Sequence, residues 1–305
     1  MVEYINLCPL CGSVPSGKAF PYTILFENIR YDYLKCSNCK TVYVSPLPTA
    51  SAFAHMYAKA KYHDCHYIEG DKENYNASIQ LLSLFAHKGG TILDYGCGFG
   101  SFLNAAKIKG FSPVGVEFDV DAAQFAEKNT NCKVYTVQEF QEQQQYSGFD
   151  IIHFGDVLEH LPDPVGTLKQ VLAYLKPGGL LFVEGPLEVN TSPVYWAAKL
   201  YGLMKHFFRP GFIGAGKPTH LFHTGEKQQL AFFRNIEPWL QREYWRVYET
   251  GWPYSNGGII KRIIASIAIW FSGRKLFGLT FGNRFSGVFV KKSDNQIGVE
   301  QTVIS

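Results

Sequence analysis

Three sets of residues have types and spacings that could do chemistry. The first is the stretch Thr91–Leu103, TILDYGCGFGSFL, which reads as a short apolar strand, a turn with Gly96, Gly98 and Gly100 at alternate positions, and a helix from about Ser101. Glycine has no Cβ, so such a turn takes positive φ and lets a ligand lie against the backbone. Amides at the turn and at the helix N-terminus would suit a carboxylate or phosphate. Asp94, at the carboxyl end of the strand, is expected to face the same mouth, where ligands of open α/β sheets bind. Glu117 follows about twenty residues later at the end of PVGVEF, placed to accept hydrogen bonds from both hydroxyls of a ribose. Helix capping, the plainer use for an acid here, better suits Asp119. Ser101 stands where a dinucleotide fingerprint wants its last glycine.

The second set is Cys8 and Cys11, with Cys36 and Cys39: two C-x-x-C knuckles that could close a tetrahedral zinc site of four thiolates. A full set of thiolates leaves no open position for water, so the metal is expected to be structural. A redox pair is the competing reading, but it leaves one knuckle unexplained. Cys65, beside His63 and His66, lacks knuckle spacing and is expected to be unliganded. The third set is His160, His220 and His223. His160 lies just past a strand mouth and could act as a base near neutral pH, or hold its loop by hydrogen bonds. His220 and His223, in PTHLFHT, could face a substrate or cap the next helix.

The elements that must position these residues alternate along the chain. Residues 1–48 read as a zinc ribbon with strands at Tyr22–Phe26, Tyr31–Lys35 and Thr41–Val44; Pro46 and Pro48 mark its exit. A helical linker or lid spans 49–88, with helices at Ser51–Lys61 and Asn74–His87. Tyr57, Tyr62, Tyr67 and Tyr75 along it could close over a ligand, or simply pack. From 89 to 305 strands at Thr91–Tyr95, Pro113–Phe118, Cys132–Val137, Phe149–Phe154 and Leu180–Glu184 alternate with helices at Ser101–Lys109, Val120–Asn129 and Val165–Leu175. That order gives a parallel sheet with right-handed crossovers.

ILDYGCGFGSFL resembles motif I of the class I S-adenosylmethionine-dependent methyltransferases. FDIIHFGDVLEHLPDP and KPGGLLFVEGP resemble the family's fourth motif and the strand after it, in the small-molecule branch that includes the ubiquinone-pathway O-methyltransferases. The resemblance implies an α/β fold with a Rossmann-like seven-stranded sheet and helices on both faces, completed by a helix at Gly225–Asn235 and an antiparallel pair at Arg242–Glu249 and Gly287–Lys292. It implies that Asp94 and the amides of Gly96, Gly98 and Gly100 hold the methionine end of S-adenosylmethionine. Glu117 would take the ribose, Gln138, Glu139 and Phe140 the adenine, and Gly155 and Asp156 the side of the cofactor, with Phe118 also among the cofactor-binding residues. The acceptor would be a small molecule such as a sugar or lipid-linked intermediate. The basic character around Arg209, Lys217 and the histidines hints that it is anionic.

The chain has 305 residues, 46% hydrophobic, enough for one large core with appended pieces. Its net charge of +3 is too small to argue for nucleic acid. Gly155-Asp156-Val157-Leu158, in place of N/D-P-P-aromatic, disfavours methylation of a base amine. Seven cysteines without a secretory leader suggest a reducing, cytoplasmic setting. Two inserts, near 186–224 and 258–282, carry apolar runs with Lys199, Lys205, His206, Arg209, Lys261, Arg262, Arg274 and Lys275. They are too short to span a bilayer but could touch one peripherally; core packing or a lid is the ordinary alternative. The rival from another class is a non-catalytic scaffold whose ribbon docks a partner. An intact glycine turn with Glu117 argues against it.

Overall fold

The structure, a computed structural model, describes residues 7–57, 72–143 and 148–292. Tyr62, His63, Cys65, His66, Tyr67 and the end of the helix expected at Ser51–Lys61 lie outside the described residues.

The chain opens with three antiparallel strands, β1 (Pro15–Phe26), β2 (Ile29–Cys36) and β3 (Val42–Ser45), followed by α1 (Ala50–Tyr57) and α2 (Lys72–Leu82). Next come β4 (Thr91–Tyr95), α3 (Ser101–Ile108), β5 (Ser112–Glu117), α4 (Val120–Thr130), β6 (Val134–Thr136), α5 (Val137–Glu142) and β7 (Phe149–Gly155). A 3-10 turn (Leu158–His160), α6 (Pro164–Leu172) and β8 (Leu175–Pro186) complete the parallel part. The remainder is α7 (Pro193–Phe208), the two-residue strands β9 (Gly214–Ala215) and β10 (Phe222–His223), α8 (Glu226–Ile236), β11 (Leu240–Tyr248), α9 (Ile259–Trp270), a hairpin of β12 (Lys275–Leu276) and β13 (Leu279–Thr280), and β14 (Arg284–Lys291).

The main sheet has the order β11-β14-β8-β7-β4-β5-β6. Strands β4 to β8 are parallel, and β14 runs antiparallel to both of its neighbours. This is the seven-stranded Rossmann-like sheet expected from the sequence. Successive residues point to opposite faces: Ile92, Ile151, Phe182 and Val288 meet α2 and α3, while Leu93, Ile152, Leu181 and Phe289 join the core beneath α6 and α8. Each fully buried large side chain contributes about 1.5–3 kcal/mol. Local signals start the helices: Asp119 accepts from the amide of Ala122, Thr136 and Glu139 form a capping box, and Asp163 caps α6 ahead of Pro164.

Three expectations shift. The third parallel strand is only Val134–Thr136, because the capping box turns 137–142 into a helix. Lys176–Gly179 is taken up as the irregular start of β8. The ribbon does not stand apart either. Its sheet has five strands, β10-β3-β2-β1-β9, and two of them come from the insert after β8. Ile24 and Leu25 pair with Gly214 and Ala215, and Tyr43 and Val42 pair with Phe222 and His223. The amide of Leu221 bonds the carbonyl of Glu159 at 2.7 Å, while its own carbonyl accepts from Val44 at 2.9 Å. One residue therefore ties the ribbon to the loop after β7.

Gly100 has φ 82°, and a Cβ there would lie 2.7 Å from Thr130 Cγ2. Gly110 has φ 89° with nothing within 4 Å of such a Cβ. Gly100→Ala should therefore cost about 1–3 kcal/mol, and more than Gly110→Ala, by calorimetric unfolding. Equal losses would show that backbone strain alone, and not the packing of α3 on α4, fixes this glycine.

Candidate active site

The carboxyl ends of β4, β5, β7 and β8 open into a cavity of ≈ 2220 Å³, walled on its far side by the ribbon and the insert. Ligand pockets are commonly about 300–1,000 Å³, so this one has room for a nucleoside cofactor and an acceptor together.

On the sheet side, Gly96, Glu117, Phe118, Gly155 and Asp156 line the cavity. The glycine turn differs in detail. Gly96, Gly98 and Gly100 all have positive φ, but their amides are bonded within the chain: Gly96 and Cys97 to the Val116 carbonyl, Gly98 to Glu117 Oε2, and Gly100 to the Cys97 carbonyl. The turn curls onto its own strand ends, so its amides are not the open donors that spacing suggested. Gly96 is needed where Val157 crosses, for a Cβ there would collide with Val157 Cγ2. Glu117 accepts three amides, from Gly98 (2.8 Å), Phe118 (2.8 Å) and Asp119 (3.1 Å). Burial pushes its carboxyl up, and these amides offset part of the rise. A carboxylate has about four lone-pair sites, so acceptor capacity remains at the cavity wall.

The segment after β6 is a correction. Gln138 bonds Glu142, Glu139 closes the capping box, and Phe140 is core, 5.0 Å from the ring of Tyr174. Val137 and Gln141, four apart on the helix, line the cavity instead.

Asp94 is the second correction. It is 2% exposed, and its Oδ1 accepts from His153 Nδ1 at 2.7 Å. Asp94 and His153 are direct partners across β4 and β7, so the carboxylate is buried against that ring on the sheet face covered by α3 and does not line the mouth. His153 is stacked against Phe102, ring centroids 3.7 Å apart, and its Nε2 is 3.8 Å from Glu184 Oε2. Burial opposes charging this imidazole, but the Asp94 and Glu184 carboxylates outweigh it and raise it to about 9. Glu184 is held low by His153 against its own burial; it also accepts from Ser286 at 2.8 Å and lines the cavity. The sequence signal for this chain of charges was a histidine inside the apolar strand FDIIHF, which needs a buried partner.

The histidines do converge. His160 Nδ1 donates to the Thr219 carbonyl at 2.8 Å, which leaves Nε2 as the basic ring atom, and the ring sits edge-on to His220 at 4.7 Å. Burial and the neighbouring His220 charge lower His160 to about 4. His220 Nδ1 donates to Glu188 and is raised to about 9, Glu188 outweighing burial. His223 also faces Glu188, at 3.5 Å, with its ring 5.0 Å from that of Tyr33 in the ribbon. Asp156 is bound through both oxygens by Arg284 Nη2 at 2.6 and 2.7 Å, which holds it low despite burial. Glu159 is buried and pushed up to about 8. Sequence reasoning missed Glu184, Glu188 and Arg284 because they act across strands distant in the chain.

Two clusters among the described residues could hold a metal. Cys8, Cys11, Cys36 and Cys39 bring their sulfurs together, with Sγ–Sγ distances of 3.5–3.6 Å for three pairs. Four sulfurs at about 2.3 Å from one zinc would be about 3.8 Å apart, so the donor set fits. Glu159, His160 and His220 also approach within 4.8 Å, but each histidine's Nδ1 is already engaged.

Residues 67–255 match the family described as "Methyltransferase domain". The chain belongs to that family. Its motifs and sheet are those of the class I S-adenosylmethionine-dependent methyltransferases. The ubiquinone biosynthesis O-methyltransferase of Histophilus somni (strain 2336) is 30% identical to this methyltransferase over 121 residues, 36% of this chain and 50% of that protein. The protein of the same name from Xanthomonas campestris pv. campestris (strain B100) is 29% identical over 173 residues, 50% of this chain and 70% of that protein. The first of these matches thus spans half the relative's length. The crystal structure of magnesium protoporphyrin IX methyltransferase from Synechocystis PCC 6803 with bound SAH shares the fold, with a TM-score of 0.53 at 12% identity, covering 80% of this chain and all of that one.

His153 is raised above its unfolded value, so the stability it adds is fully present below about pH 6.5 and is lost as pH climbs through about 9. His153→Gln should cost about 3–5 kcal/mol at pH 6, because it strands Asp94. Denaturant titrations should show the gap from wild type narrowing by pH 10. A gap constant across that range would refute the ionised pair.

Proposed function

We propose that this methyltransferase transfers a methyl group from S-adenosylmethionine to a hydroxyl of an anionic small molecule, a sugar or lipid-linked biosynthetic intermediate met at a membrane surface, with His160 as the proton acceptor. The observation that carries the reading is one cavity holding Gly96 and Glu117 on one wall and His160, His220 and Lys217 on the other. The cofactor supplies an electrophilic methyl on a sulfonium, so the protein's task is chiefly alignment. Glu117 has the acceptor capacity for a ribose diol, Phe118 and Val137 offer apolar faces, and Asp156 borders the same side. The relatives' name, an O-methyltransferase, favours a hydroxyl acceptor. His160 is held neutral, with its Nδ1–H fixed on Thr219, so Nε2 keeps the lone pair that would take the hydroxyl proton. Lys217 Nζ is buried with no hydrogen-bond partner. A buried ammonium needs an anion, and a phosphate or carboxylate of the acceptor would supply it. His223, packed on Tyr33, has the lesser role of holding Glu188 toward His220.

Cys8, Cys11, Cys36 and Cys39 would bind zinc as a closed crosslink, supplying no open coordination site and hence no chemistry of its own. Its effect on the acceptor side is mechanical: the knuckles anchor β1–β3, and β3 carries the strand that presents His223.

Binding and turnover should separate. In calorimetric titrations with S-adenosylhomocysteine, Glu117→Gln should weaken affinity about tenfold or more, while His160→Ala should leave it unchanged. Screened against phosphorylated sugars and lipid-linked hydroxyl compounds, with product S-adenosylhomocysteine as readout, His160→Ala should lower turnover by about 10²–10⁴. Absence of cofactor binding by folded wild type would overturn the enzymatic reading in favour of a scaffold.

Chelating the metal should strip amide-exchange protection from β1–β3 and also from 214–215 and 222–223, leaving β4–β8 protected. Retained protection at 222–223 would show that the insert strand stands without the ribbon.

A further inference from the structure

Helices α7 and α9 bury the wrong residues for ordinary surface helices. The buried residues of α7 are Val194 and Gly202, and those of α9 are Ala265 and Ala268. The two helices meet through Val194, Ala265 and Ala268. Their large apolar side chains point outward. On α9, Ile260, Ile263, Ile267 and Trp270 follow at helical spacing opposite the alanines; Ile260 is 71% and Trp270 61% exposed. On α7, Trp196, Leu200, Leu203 and Phe207 make a second stripe, with Phe207 78% exposed. The β12–β13 hairpin adds Phe277 at its tip, 99% exposed. Monomers in water rarely show so much contiguous apolar surface without a use for it.

The charge around these stripes is one-sided. Segments 189–225 and 250–283 carry eight Lys and Arg and no Asp or Glu, whereas the rest of the chain has 21 basic against 26 acidic residues. Several of these cations rest on aromatic faces: Arg274 over Trp270 at 3.9 Å, Lys205 over Phe212 at 3.9 Å, and Lys199 over Trp196 at 5.1 Å. No helix among the described residues is long and apolar enough to cross a membrane. The surface also runs into the cavity, whose lining includes Tyr195, Ala198 and Lys199 of α7 and Trp252 and Pro253 before α9.

We propose that the outward faces of α7 and α9, with the β12–β13 tip, form a docking surface for an anionic lipid bilayer, and that the acceptor enters the cavity from that side. Apolar stripes flanked by Lys and Arg, with Trp at the boundary, suit the headgroup region of a negatively charged leaflet. A second copy of the chain is a poorer occupant, because a two-fold interface would set this acid-free patch against itself. The inference deepens the lipid-linked reading of the acceptor, yet it is tested without catalysis.

The test is flotation of the full, zinc-replete chain with phosphatidylcholine vesicles, with and without one third phosphatidylglycerol. Expected are binding to the anionic vesicles at least about tenfold stronger than to the neutral ones, and weakening in high salt. Phe207→Ser with Ile260→Ser, and separately Lys205→Glu with Lys261→Glu, should each reduce binding about tenfold, with melting temperature and S-adenosylhomocysteine affinity unchanged. Failure of the wild type to float while it binds S-adenosylhomocysteine would overturn the docking surface and leave the methyltransferase reading standing. So would a concentration-dependent dimer in sedimentation equilibrium that the Phe207→Ser, Ile260→Ser pair abolishes.

Discussion

Three ionisable side chains buried side by side on β4, β7 and β8 constrain everything at the mouth of the sheet. Asp94 and His153 are fully buried and Glu184 borders the cavity beside them, a run of alternating charge, so none of the three strands can slip in register without stranding a charge. Three of the segments around the cavity leave from those strand ends. The glycine turn follows β4, Asp156 to His160 follow β7, and Glu188 with the insert follows β8. Even Gly155 answers to this run, since a Cβ there would meet the His153 ring at 2.7 Å. The cavity's geometry is thus set from below, by electrostatics, before any ligand arrives.

From above it is set by the N-terminal unit. A ribbon of this size has little apolar core of its own and relies on crosslinking. A metal held by the two knuckles would lend that rigidity to a neighbour. By accepting β9 and β10 at its two edges the ribbon turns an insert of nearly forty residues into a wall, and through Leu221 it fixes the loop that carries Glu159 and His160. On the proposed reading the sheet builds the cofactor side and the ribbon with its insert the acceptor side, which separates the general task from the particular one.

What could be read from the chain follows how local the determinants are. The glycine turn, Glu117, the alternation of strands and helices and the two cysteine knuckles are encoded within a few residues of themselves, and they stand where periodicity and spacing put them. Asp94 was misplaced because a carboxylate at a strand end reads as facing solvent unless its partner, His153, is known to lie next to it across 59 residues. Gln138 to Phe140 were misplaced because a capping box converts a loop into a helix and rotates Val137 and Gln141 into view. The union of ribbon and insert had no local signal at all, since two-residue strands carry no period to detect.

That union has a consequence for how the polypeptide is made. Ile24 pairs with Gly214, so an edge of the N-terminal sheet waits for a strand about 190 residues downstream. At about 5–20 residues per second the interval is roughly 10 to 40 s, during which β1 and β3 present unpaired edges to anything nearby. Early capture of a metal ion by the two knuckles would hold that half-built sheet together through the delay. The cysteines would then serve the nascent chain before they serve the finished enzyme.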